Sequence, residues 1–144
     1  MTMINQVKSF DKGEDLIWWV ATNPNTPVET LKVLATDEDV NVRMWVAYNP
    51  STPEEILKVL ATEKNEYVKC GVAYNPSTPV ETLKVLAWDE DGIVRKRVAD
   101  NSSTPEEILK VLATDEYQYV RRGVAENPNT PEDIEMKIRM CDNL

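Results

Sequence analysis

The sequence predicts an all-α solenoid, and three observations carry that prediction. The phrase Asn-Pro-x-Thr-Pro begins at Asn23, Asn49, Asn75 and Asn127, with the variant Asn-Ser-Ser-Thr-Pro at Asn101, so units start 26 residues apart (49−23 and onward). A constant period in this range marks short units that each pack only on their neighbours. Within each period the apolar residues recur at helical spacing behind a Thr-Pro-x-Glu start signal, and no stretch alternates with period two, so no strands are expected.

Taken in order, residues 1–22 read as an amino-terminal half unit. Their last part, Leu16-Ile17-Trp18-Trp19-Val20-Ala21, aligns with the second helix of the full unit that follows. Residues 23–126 are four full units. In the first, Thr26-Pro27-Val28-Glu29 reads as a capping box: Thr26 would accept from the Glu29 amide, and the Glu29 carboxylate would return to the Thr26 amide. The same pairing is expected for Thr52 and Glu55, Thr78 and Glu81, Thr104 and Glu107, and at the end for Thr130 with Asp133.

The first helix of the unit is expected over 27–35. Thr30, Leu31, Val33, Leu34 and Ala35 cover roughly 200° of its circumference at about 100° per residue, which implies burial against more than one neighbour. Glu29 and Lys32 lie on the wet side, so Lys32, Lys58, Lys84 and Lys110 form a solvated ladder. Asp37-Glu38-Asp39 makes a turn whose acids favour the positive start of a second helix. That helix, over 40–48, carries a narrower stripe of Val42, Val46 and Ala47, repeated at Val68/Val72/Ala73, Val94/Val98/Ala99 and Val120/Val124/Ala125. The closing asparagine either caps by its backbone or joins an internal asparagine ladder. Helices this short do not hold alone in water, so stacking must stabilise them.

A second-order repeat is superposed. Units one and three open Thr-Pro-Val-Glu-Thr, whereas units two and four open Thr-Pro-Glu-Glu-Ile and share Tyr67-Val68 with Gly71 and Tyr119-Val120 with Gly123. A two-unit block was duplicated. Residues 127–144 form a partial repeat and polar closing cap, with Glu135 where leucine would stand, and the 144 residues make one repeat domain.

These residues, Asn-Pro-x-Thr-Pro-x-x-x-Leu-x-x-Leu-Ala followed by Val-Arg-x-x-Val-Ala, resemble the leucine-rich repeat variant family of bacteria over Leu16 to about Ile138. The resemblance implies a right-handed superhelix without sheet, built from alternating short helices, one α and one 3₁₀-like. Ordinary leucine-rich repeats lack support, because Leu-x-x-Leu-x-Leu is absent; longer HEAT-like repeats are the alternative architecture. Some members of the family carry a cysteine-rich domain with an iron–sulfur cluster. This sequence lacks those cysteines, so none of that chemistry carries over.

Composition bounds the function further. Hydrophobic residues make up 42% and charged residues 28%, as in folded chains. Histidine is absent, and Cys70 and Cys141 are the only cysteines, so no metal site or cofactor is expected. No nucleophile–base pair can be assembled, and a non-enzymatic protein is expected. The formal charge of −9 counts against nucleic acid. No apolar run reaches the ~20 residues of a membrane span. The first ten residues do not read as a secretory signal, and with the two thiols this suggests a reducing cytoplasm. Asp89-Glu90-Asp91-Gly92 reads as an acidic turn in preference to a calcium loop, whose later ligands do not follow.

Repeat-invariant positions hold a stack together, and variable ones can encode recognition. Along the second helices one ladder changes from Trp18 and Met44 through Cys70 to Lys96 and Arg122, beside Tyr48 and Tyr74. These seven residues are the candidate face for a protein partner, since exposed aromatics, methionine and arginine suit such interfaces. Met44, Tyr48 and Tyr74 are expected to be exposed, Trp19 and Trp45 to fill the core. A further ladder, Arg43, Lys69, Arg95 and Arg121, is expected to pair with acids inside the stack and not to bind phosphate. The alternatives are self-assembly through Trp18 to a homo-oligomer and, less favoured, nucleic-acid binding through the cationic ladder.

Overall fold

The computed structural model describes residues 13–144. Among them lie ten helices and no strands: α1 (Gly13–Thr22), α2 (Val28–Leu34), α3 (Val40–Tyr48), α4 (Glu54–Leu60), α5 (Glu66–Tyr74), α6 (Val80–Leu86), α7 (Gly92–Asp100), α8 (Glu106–Leu112), α9 (Gln118–Glu126) and α10 (Glu132–Asp142). The expected helices over 27–35 and 40–48 are therefore found within a residue at each end. Of the expected half-unit cap, residues 1–12 lie outside the described residues; its helix α1 buries Val20 and Ala21 against the stack, as the alignment with Val46 and Ala47 required.

Every helix is α, which departs from the α and 3₁₀ alternation implied by the resemblance. The physical reason lies at the helix ends. In α2 the interior bonds span four residues, Leu31 N to Pro27 O at 3.1 Å and Ala35 N to Leu31 O at 2.9 Å. Tighter three-residue bonds appear only at the margins, such as Thr30 N to Pro27 O at 3.0 Å and Asp37 N to Leu34 O at 3.1 Å.

Second helices stack directly on one another, α1 on α3, α5, α7 and α9 in turn, ending on α10. Each first helix from α4 onward instead bridges the second helix of its own unit and that of the unit before. The result is one closely packed row and one more open row. Leu31, Leu34 and their equivalents Leu57, Leu60, Leu83, Leu86, Leu109 and Leu112 point between the rows and are fully buried. Each contributes roughly 1.5–3 kcal/mol by leaving water. The expected wide apolar arc is narrower than its composition suggested: Val33, Val59, Val85 and Val111 stand exposed on the more open row, where successive first helices touch far less than second helices do.

The threonine capping boxes do not form. Pro27 has ψ 143°, so it is the extended residue before the helix and not its first helical residue, and no side chain caps the amide ends of α2, α4, α6, α8 or α10. Thr26, Thr52, Thr78, Thr104 and Thr130 instead turn back and donate to carbonyls six residues earlier, those of Val20, Val46, Val72, Val98 and Val124. They lock the bend between units. Glu29, Glu55, Glu81 and Glu107 remain on the surface, where Glu29 and Glu81 meet Lys32 and Lys84 at 3.2 and 3.3 Å. Second helices α3, α5 and α7 carry the true side-chain caps, from Asp39, Asn65 and Asp91.

The asparagines do both things the sequence left open. The Asn75 amide closes α5 on the Val72 carbonyl, while its buried side chain donates to Ala47 O and Asn49 O at 2.7 and 2.8 Å. Asn49, Asn101 and Asn127 repeat this pattern, so a continuous asparagine ladder ties each unit to the one before. At the carboxyl end α10 is one longer helix replacing two. It buries Ile138, packs on α9, and ends at Asn143 in the left-handed conformation (φ 56°).

Candidate functional site

The cationic ladder belongs to the frame. Arg43 pairs with Glu63 at 2.9 Å, Lys69 with Asp89 at 2.7 Å, Arg95 with Asp115 at 2.6 Å and Arg121 with Asp142 at 2.9 Å, each acid coming from the following unit. Each arginine of the ladder also donates to two main-chain carbonyls of the turn in its own unit. Within the acidic turn at residues 89–92, Asp89 is taken up by Lys69 and by the Asp91 amide, and Asp91 by the Ile93 amide.

The close row carries the variable face, and the predicted residues divide there into three groups. Trp18 and Tyr74 are about half exposed, at 48% and 49%. Met44 and Tyr48, expected to be exposed, are only partly so, and Met44 packs against the core. Cys70, placed on this face by its register, is buried, on α5 between the stacked helices α3 and α7. Burial, with the negative charge of Asp91 second, pushes its thiol up to about 11. Lys96 and Arg122 are engaged by Asp100 and Glu126 on their own helices.

The tryptophan expectation is half reversed. Trp19 is 51% exposed, not buried, while Trp45 packs against the core as a partly buried ring. Gly71 occupies the equivalent place in the next helix, where α5 lies close against Met44, Ala47 and Tyr48 of α3. A Cβ at Gly71 would come within 2.8 Å of the Ala47 Cβ and 3.2 Å of the Met44 carbonyl. Gly123 stands in the same relation to Ala99, at 3.0 Å. The two-unit block seen in the sequence is thus a packing unit: α3 meets α5, and α7 meets α9, across a glycine.

Where the blocks join, Arg97 takes the glycine position and lies over the Tyr74 ring at 5.5 Å from its centroid. Tyr74 in turn meets Tyr48 at 5.6 Å between centroids. Arg43, Arg95, Arg121, Arg122 and Arg139 all pair with carboxylates, whereas Arg97, among the described residues, pairs with none, and its Nε is buried without a hydrogen-bond partner. Arg97 is not among the seven residues that the sequence offers for this face.

Trp88 was missed altogether. It lies in the turn just after α6, is 75% exposed, and stands where the other units have Thr36, Thr62 and Thr114. Comparing units along the first helix, as was done along the second, would have found it.

The architecture has a solved counterpart. The chain is similar over 97% of its length to a leucine-rich repeat variant described as having a novel repetitive protein structural motif, with 27% sequence identity and a TM-score of 0.61. It spans 61% of that protein's length. No protein-family model matches the chain, and no curated protein matches it.

Proposed function

We propose, for a chain with the architecture of a leucine-rich repeat variant, that it is a non-enzymatic scaffold that binds another protein through the close row. The face centres on Tyr74, with Tyr48 and Arg97 beside it, Trp18 and Met44 on one flank and Lys96 and Arg122 on the other. The observation that carries this reading is the Tyr74–Arg97 pair: an exposed ring under a guanidinium that has no carboxylate of its own. Tyrosine, tryptophan and arginine dominate interface energetics. They sit here on helices tied by buried asparagines and leucines, so little ordering cost opposes binding. The cationic ladder offers little to phosphate, since each member is held by an acid of the next unit. No helix among the described residues is long and apolar enough to cross a membrane.

A photo-crosslinking residue in place of Tyr74 tests this in cells. A discrete protein adduct that disappears with Arg97→Glu is expected. An adduct formed from position 59 on the open row, with none from position 74, would move the function off this face. Self-assembly is the second reading, supported by the adjacent exposed rings of Trp18 and Trp19. It requires a molar mass that rises with concentration in light scattering and falls back with Trp18→Ser.

A further inference from the structure

The open row carries a surface that the close-row reading does not use. Between the exit of α6 and the start of the α8–α9 turn, two adjoining clefts of about 640 and 250 Å³ share Ala87, Trp88 and Val111. Ala87 and Leu112 form an apolar floor, and Trp88 stands up as a wall with three quarters of its surface in water. Threonine suffices at this position in the other units, so the stack does not need the indole. An exposed tryptophan beside an apolar cleft is an anchor point awaiting a partner.

The rim says what kind of partner. Glu90, Glu107 and Glu116 are exposed around the cleft, and its lining as a whole holds five carboxylates against two cations, Lys84 and Arg95. Arg95 is held in the floor by Asp115 at 2.6 Å and reaches Glu116 only at 3.7 Å, Lys84 is held by Glu81 and Glu107, and Asp89 is taken up by Lys69 from outside the cleft. With Lys69 counted, three cations stand against five carboxylates, a formal excess of two negative charges, and Glu90 and Glu116 carry it at the exposed rim. A lysine or arginine entering there would meet carboxylates at the rim and the face of Trp88, on which cations stack favourably. An acidic segment would meet repulsion. We infer that this cleft docks a basic segment of a partner protein, with an aliphatic or aromatic residue against Ala87 and Leu112 and lysine or arginine beside Trp88 and the Glu90/Glu116 rim.

Trp88→Thr tests the inference on a fold the chain already uses, because threonine occupies the equivalent site in three units; circular dichroism checks that the helices persist. The probe is a fluorescein-labelled leucine–lysine peptide read by anisotropy, against a leucine–glutamate peptide of the same pattern. Saturable binding of the lysine peptide alone is expected, weakened by about tenfold or more with Trp88→Thr, as loss of one anchor predicts. Glu90→Gln with Glu116→Gln should weaken it too and flatten its salt dependence, whereas Tyr74→Ser, on the other face, should leave it unchanged. No saturable binding at low salt, equal binding of the glutamate peptide, or binding indifferent to Trp88→Thr would each overturn the inference. A concentration-dependent dimer abolished by Trp88→Thr would overturn it as well, assigning the cleft to a second copy of the chain.

Discussion

The Asn75 side chain donates to the main-chain carbonyl of Asn49 at 2.8 Å, and the Asn101 side chain donates in turn to the carbonyl of Asn75 at 3.0 Å. Each ladder asparagine satisfies two buried carbonyls that come before it in the stack, while its own oxygen accepts from the amide two residues on, as Asn75 Oδ1 does from Ser77 N. The open end of one unit's second helix is thereby closed by the next unit. Asn75→Ala leaves those groups dry and should cost about 2–4 kcal/mol in urea unfolding. Asn23→Ala, where among the described residues the side chain serves only the Asn25 amide at the surface, should cost less than about 1 kcal/mol. Equal losses would mean the ladder is incidental.

Thr78 and Glu81 separate the lock observed from the capping box expected. The Thr78 hydroxyl donates to the Val72 carbonyl at 2.6 Å in a buried bend, and Glu81 reaches only Lys84 on the surface. Thr78→Val should cost about 1–2 kcal/mol, and Thr78→Ser should restore most of it. Glu81→Ala should change stability by less than about 0.5 kcal/mol, whereas a working capping box would lose near 1. A Glu81→Ala loss as large as that of Thr78→Val would restore the box.

The contrast shows what a sequence exposes and what it hides. Leu31, Leu34, Val42 and Val46 were legible because their burial follows from local helical spacing. Thr78 was misread because its acceptor lies six residues back across a chain reversal, which no i-to-i+3 signature encodes. Val33 looked buried because the arc was counted on an isolated helix; the looser packing of the open row leaves it exposed. Cys70 and Trp19 were placed by register alone, which does not fix exposure: Cys70 is buried and Trp19 is about half exposed. On the candidate face, Tyr74 was found by its departure from the repeat. Arg97 needed the structure, since only the pairing of every other arginine makes its lack of a partner visible.

Acid should loosen the stack through Asp115. Burial works to raise its pKa, but the hydrogen bonds from Arg95 and the Tyr117 amide, with the Arg95 charge, bring it below the ordinary carboxylate value. Asp142 and Glu126 are lowered likewise by Arg121 and Arg122. A folded pKa below the unfolded one means the folded state resists protonation. That stability is complete above the unfolded value of about 3.9 and drains away as pH falls through the depressed one. Thermal midpoints should therefore fall from about pH 4 downward. Asp115→Asn should start lower at pH 7, with Arg95 left only the longer contact to Glu116 and its two main-chain carbonyls, and fall less steeply in acid. Parallel curves for parent and variant would remove Asp115 as a source of acid sensitivity.

Gly71 sets two general effects against each other, and the geometry decides between them. Glycine inside a helix ordinarily destabilises it, so Gly71→Ala would be expected to gain roughly 0.5–1 kcal/mol. The new methyl, however, would lie 2.8 Å from the Ala47 Cβ and 3.2 Å from the Met44 carbonyl. Both are parts of α3 that cannot swing aside as a long side chain could. Relief requires α3 and α5 to separate, which also strains the Asn75 bonds to Ala47 and Asn49. Overpacking of this kind costs about 1–3 kcal/mol, more than the propensity gain, so Gly71→Ala should be destabilising. Gly123→Ala meets Ala99 at 3.0 Å, with the Asp100 carboxylate oxygen closer at 2.7 Å but on a side chain able to move. Its loss should be smaller. Chemical denaturation of the two variants orders them directly, and a stabilised Gly71→Ala would mean that the stack yields more easily than its buried ladder implies.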